Sequence, residues 1–187
     1  MRRLFALAAL PFALALSACA GGPQPADRAG ATPDLVLEDW LQGRTYAIGV
    51  FERGQVLDRK FYVEIDGDWD GRALTLDERF LYDDGMTDRR VWTMRKVADN
   101  RFIGTANDVI GEADIAVVGD AAFFNYVVDL KLQDGSTVEV RFTDRIYQVS
   151  RDMIINRATV SKFGFDLGEV AIVFTKDRPS DWPDIAG

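Results

Sequence analysis

The stretch "ALTLDERFLYDDGMTDRRVWTMRK", residues 73–96, decides the fold. Leu74, Leu76, Glu78 and Phe80 recur at every second position, and so do Arg90, Trp92, Met94 and Lys96. Between them, "YDDGMTD" at 82–88 is rich in turn residues. A two-residue apolar period on either side of a glycine-containing turn is the pattern of a β-hairpin.

The same period extends in both directions. Upstream, "RTYAIGVFER" (44–53) and "VLDRKFYVEI" (56–65) flank Gly54-Gln55, with Phe61, Val63 and Ile65 on one face, and "DGDWDG" (66–71) reads as the next turn. Downstream, "AAFFNYVVDLKL" (121–132) aligns Phe124, Tyr126, Val128, Leu130 and Leu132, and "TVEVRFTDRIYQV" (137–149) aligns Val138, Val140 and Phe142. With "RFIGTANDV", "GEADIAVV", "DMIINRATVS" and "EVAIVFTK", this gives about nine or ten strands separated by Gly/Asp/Asn turns. The expected architecture is an all-β antiparallel meander. A sheet that large has two edges to protect, and closing it into a barrel removes both; a sandwich of the same hairpins fits the pattern too. One helix is expected. In "LVLEDWLQG" (35–43), Leu37, Trp40 and Leu41 have helical spacing and Gly43 can end the turn.

The hairpin at 73–96 places Glu78 among apolar neighbours on one strand and Arg90 among them on the next. If those faces point inward, an acid and a base enter the interior side by side, and a buried charge must be paired. Asp108 falls in phase with Phe102 and Ala106, Asp144 with Phe142, and Asn156 with Ile154 and Ala158. Glu78, Arg90, Trp92, Asp108, Asp144 and Asn156 are therefore the candidate polar lining of a small-molecule pocket. The plainer alternative keeps Arg90 and Lys96 at strand ends, snorkelling to water. It makes "YDDG" an ordinary loop in which Asp83 or Asp84 caps backbone amides. Arg157 and Lys162 form a candidate cationic mouth for a carboxylate or phosphate, with surface ion pairing as the alternative. No calcium-hand spacing is present and no metal or cofactor is expected.

The chain begins "MRRLFALAALPFALALSACAGG". Two arginines, an apolar run from Leu4 to Leu16 and small residues before a cysteine form the layout of a secretion signal. The run is shorter than the roughly twenty residues a membrane-spanning helix needs. "LSAC" (16–19) resembles the bacterial lipobox, which implies cleavage before Cys19 and its acylation. Ala20 at the next position implies the outer membrane, facing the periplasm. The expected organisation is a signal over 1–18, a lipidated flexible tether over 19–34, a barrel over 35–176 and a surface tail over 177–187 that frays, with Trp182 able to tack it to the barrel. Cys19 is the sole cysteine, so no intrachain disulfide forms, and the absence of histidine removes Ser-His-Asp and Cys-His catalysis. Without residues 1–18 there remain 20 basic and 30 acidic residues, a net charge of −10. That charge repels nucleic acid, so no nucleic-acid partner is expected.

The chain resembles the bacterial lipoproteins grouped as domain-of-unknown-function family 3833. "YDDG" at 82–85, "RRVW" at 89–92, "DVIGEA" at 108–113, "NRATVSKFG" at 156–164 and "GEV" at 168–170 carry the resemblance. One departure is Arg145, where the family often has an aromatic before the tyrosine of "TDRIYQV". The resemblance implies an envelope lipoprotein with a lipocalin-like (calycin-type) barrel and no established activity. Three functional expectations follow. The first is non-catalytic binding of an apolar or amphipathic ligand, such as a lipid or fatty acyl group. The second is an accessory lipoprotein that binds another envelope protein. The third is a carboxylate enzyme drawing on Asp83, Asp84, Asp108, Glu112 or Arg90.

Overall fold

The structure is a computed structural model that describes residues 22–54, 56–132 and 135–185. The signal segment and Cys19 lie outside the described residues. Ten antiparallel strands close into one barrel in which every strand pairs with its neighbours in sequence and the first pairs with the last. They are β1 (Gly43–Arg53), β2 (Val56–Trp69), β3 (Ala73–Tyr82), β4 (Thr87–Ala98), β5 (Arg101–Ala106), β6 (Val109–Val118), β7 (Ala121–Lys131), β8 (Thr137–Ser150), β9 (Met153–Lys162) and β10 (Phe165–Thr175). The closed barrel replaces the sandwich alternative. Because the strands alternate in direction, the β1–β2, β3–β4, β5–β6, β7–β8 and β9–β10 hairpins all lie at one end.

The two-residue period translates directly into the wall. Phe61, Val63, Ile65, Leu74, Leu76, Trp92, Met94, Phe124, Tyr126 and Val128 are buried inside. Two expectations shift. β2 continues through the stretch read as a turn, as far as Trp69, whose ring packs edge-on against Phe102 at 6.4 Å. Leu132 lies past the end of β7 and is exposed at the rim.

A single helix, α1 (Leu37–Leu41), closes the other end. Its buried Leu37, Trp40 and Leu41 meet Ile146, Ile154 and Phe174, while the Trp40 indole donates to the Arg151 carbonyl at 3.0 Å. Each such side chain contributes about 1.5–3 kcal/mol on burial. The buried Glu38 is satisfied by an ion pair with Lys96. Gly67 makes this contact possible, because a Cβ there would lie 1.9 Å from the Leu41 carbonyl oxygen. Backbone on both sides cannot yield as a side-chain tip can. Gly67→Ala is therefore expected to cost about 2–3 kcal/mol through displacement of α1, read as a lower urea midpoint.

Both flanking segments dock on the outer wall, which corrects the flexible tether for residues 25–34. Arg28, at the end of a 3-10 turn over Pro25–Arg28, donates to Asp120 at 2.9 Å, and the Leu35 amide donates to the Gly119 carbonyl at 2.8 Å. The tail is held as far as the buried Ile185. Trp182 sits edge-on to Tyr46 at 5.0 Å and Tyr62 at 5.4 Å, and its indole donates to Glu64. Glu64 and Asp66 also accept from Arg44 and Arg79, so the latch is tied to three strands.

Candidate functional site

The polar cluster lies on the inner wall toward the end opposite α1. Its assembly follows from strand register. Glu78 on β3 is directly opposite Arg90 on β4, as Leu76 is opposite Trp92. Trp92 is opposite Ala106 on β5, which brings the following turn, with Asp108, alongside Arg90. Arg90 Nε donates to both oxygens of Asp108 at 3.0 Å, and a second guanidinium nitrogen closes the fork. Asn107 secures the turn: its Oδ1 accepts the Val91 amide at 3.0 Å and its amide donates to the Arg89 carbonyl. Across the barrel, β8 supplies Asp144 and β9 supplies Asn156, both buried. The Tyr126 hydroxyl donates to Asp144 Oδ2 at 2.9 Å. Tyr126 is itself set by Trp92, edge-on at 5.2 Å, and by Phe142, stacked at 5.5 Å.

Burial dominates the electrostatics. It raises the Glu78 carboxyl to about 7; Arg90 pulls the other way, while Asp108 and Asp144 add to the rise. Burial also raises Asp144 to about 6 against the Tyr126 hydrogen bond and the Arg90 charge. Burial opposes the charge on Arg90, but Tyr126, Glu78 and Asp108 outweigh it and hold the guanidinium protonated. Water still reaches part of the cluster, since the Arg90 and Asp108 side chains are 22% and 25% exposed. The deeper atoms are dry. Asp144 Oδ1 and Asn156 Oδ1 are buried and have no hydrogen-bond partner among the described residues.

The structure thus brings together Glu78, Arg90, Trp92, Asp108, Asp144 and Asn156. It separates the cationic-mouth pair. Arg157 is on the outer face, because Asn156 and Ala158 take the inward positions, and it pairs there with Glu169 at 2.8 Å. Lys162 reaches the rim at the end of β9, with its ammonium 5.3 Å from the centre of the Phe163 ring. Asp83 and Glu112 are exposed. Asp84 caps the Met86 amide at 2.9 Å, as the plain-loop reading has it. The arginine missed from sequence is Arg59. It lies 3.6 Å over the Tyr82 ring, pairs with Asp84 at 2.7 Å and keeps its buried Nε without a partner among the described residues. Its signal was the period itself, because Arg59 precedes Phe61, Val63 and Ile65 in phase.

Side chains fill most of the interior. Two small cavities lie near α1: one of about 10 Å³ beneath Trp40, and one of about 120 Å³ beside Lys96 and Phe102.

A ten-stranded up-and-down barrel with one helix across an end is a lipocalin-like, calycin-type fold. The chain belongs to the DUF3833 family, described as a protein of unknown function, whose model matches residues 13–176. No curated protein matches it. Among solved structures it is similar to the S-type phycobiliprotein lyase CPES from Guillardia theta. That match has 9% identity and a TM-score of 0.57, over 76% of this chain and 92% of the lyase. It is also similar to Rv2717c from M. tuberculosis, at 16% identity and a TM-score of 0.51, over 79% of this chain and 99% of that one. At these identities the likeness is one of fold.

Proposed function

We propose that the barrel binds a small amphipathic molecule at its open end, without catalysis. The ligand's polar end meets Glu78, Arg90 and Asp108, and its apolar part lies against Phe80, Tyr82 and Phe142. The observation that carries this reading is a charged cluster on the inner wall that water still touches. An apolar filling of the same volume is often as stable or more so, so a retained cluster points to use. The rim supports the same reading. Each hairpin at the open end bears an exposed apolar side chain: Leu57, Met86, Ile110, Leu132 and, most exposed, Phe163 at 89%. With the interior so filled, the ligand gains room by rotation of the aromatic side chains around the mouth. The same proposal takes the chain as an envelope lipoprotein held to the membrane by acylated Cys19, which would give the barrel a ready supply of amphiphiles.

Mass spectrometry of the full chain purified in a mild maltoside detergent tests both halves. Under native conditions one non-covalent, lipid-sized adduct is expected, and after denaturation the intact mass should still carry the acyl groups. A barrel that emerges empty and takes up no added amphiphile refutes the binding role. An unmodified mass with the signal removed refutes the anchor.

A further inference from the structure

The cluster has more acceptors than donors. Arg90 spends its fork on Asp108, and the Tyr126 hydroxyl is spent on Asp144 Oδ2. Left over are Asp144 Oδ1 and Asn156 Oδ1, on side chains of residues only 6% and 5% exposed. Glu78 faces them from β3, near enough for Asp144 to act on its proton affinity, and no donor among the described residues is bonded to it. A buried acceptor without a donor costs about 1–3 kcal/mol. Two such atoms, with the half-buried Glu78 carboxyl facing them, describe the complement of a group rich in N–H or O–H. The charge argues the same way, since Arg90 faces Glu78, Asp108 and Asp144, with Arg145 a weaker influence on Asp144 alone. A carboxylate or phosphate entering here would meet the carboxyl groups of Glu78, Asp108 and Asp144, and Arg90 is already engaged with Asp108.

We propose that this cluster accepts the head of a donor-bearing amphiphile, a primary ammonium, in preference to a carboxylate or phosphate. The ammonium donates to Glu78 at the wet edge and to Asp144 Oδ1 behind it, with the Asn156 carbonyl oxygen as the third acceptor. This rests on the amphiphile-binding reading above and narrows it to a head-group chemistry.

The probes are octylamine, octanol and octanoate, offered at equal concentration to the full chain in maltoside at neutral pH and counted by native mass spectrometry. Octylamine is expected to be retained about tenfold or more over octanoate, the scale of one charge-assisted hydrogen bond. Glu78→Gln and Asp144→Asn should each remove most of that preference. The two variants act from different strands, so a folding failure in one leaves the other informative. Octanoate retained as well as octylamine overturns the head-group inference but keeps the binding role. Octylamine retained equally by wild type and both variants also overturns it, because the adduct then sits elsewhere. Retention of none of the three overturns the binding role itself.

Discussion

Arg90→Met is expected to lower the stability of the barrel by about 2–4 kcal/mol at pH 8. Methionine matches the length of the stem and keeps contact with Phe80, over which the guanidinium lies at 5.8 Å. What disappears is the cation that pairs with Asp108 and faces Glu78 and Asp144. Breaking a buried pair from one side costs about 3–5 kcal/mol, because the remaining charge stays behind unpaired. Water reaches this pair, so the lower part of that range applies. The size of the loss should depend on pH. At pH 5 the carboxyls of Glu78 and Asp144 are mostly protonated, so fewer charges are stranded by the loss of Arg90. Adding Asp108→Asn to Arg90→Met should then recover part of the loss. Urea unfolding of the single and double variants at both pH values measures all three effects. A single-variant loss below about 0.5 kcal/mol at pH 8, the scale of an ordinary surface substitution, would mean the cluster is solvated like a surface.

The second expected result is a stability that falls as pH rises from about 4 to 7. Glu78 goes from an ordinary 4.5 to about 7 on folding, and Asp144 from 3.8 to about 6. Both are acids whose folded form holds its proton more tightly than the unfolded form. Between the two values the folded chain binds more protons, so the slope of stability with pH is negative. The penalty is absent below the unfolded values and fully developed above about pH 7. Each tenfold change in proton affinity is worth about 1.36 kcal/mol, and for two neighbours that influence each other a joint effect of about 2–4 kcal/mol between pH 4 and pH 8 is expected. Below pH 4 the sign turns. Asp77, held low by Arg89, and Asp84, held low by the Met86 amide, then lose stabilising charge. Glu78→Gln should flatten the upper part of the profile and Asp144→Asn the lower part. A wild-type stability that climbs from pH 5 to pH 8 would contradict the assignment.

Much of this site is legible in the sequence. A strand's side chains alternate strictly, so the parity that puts Leu74, Leu76 and Phe80 inside also puts Glu78 there. The same rule delivers Arg90, Asp108, Asp144 and Asn156. Parity says nothing about height along the barrel, which is why Arg59 was missed. Arg157 differs by one position from its inward neighbours Asn156 and Ala158, so its basic character pointed to the mouth while its register pointed out. Arg59 had the right parity but lay beyond the apolar run that advertised it. The docking of Arg28 on Asp120 was hidden for another reason. A Gly- and Pro-rich composition reports the freedom of an isolated chain, whereas here Arg28 meets Asp120, 92 residues away, and the Leu35 amide bonds the Gly119 carbonyl.

The barrel is sealed where Tyr46–Glu52 of β1 meets Glu169–Thr175 of β10. Every other seam joins strands adjacent in sequence and needs only a tight turn, whereas this one spans nearly the whole domain and carries the largest closure entropy. A nascent chain therefore remains an unfinished ribbon until its last strand has been synthesised. During that interval two bare edges are available to any other extended polypeptide. For this architecture the hazardous moment is late in synthesis, and the seam that ends it depends on the final strand of the domain.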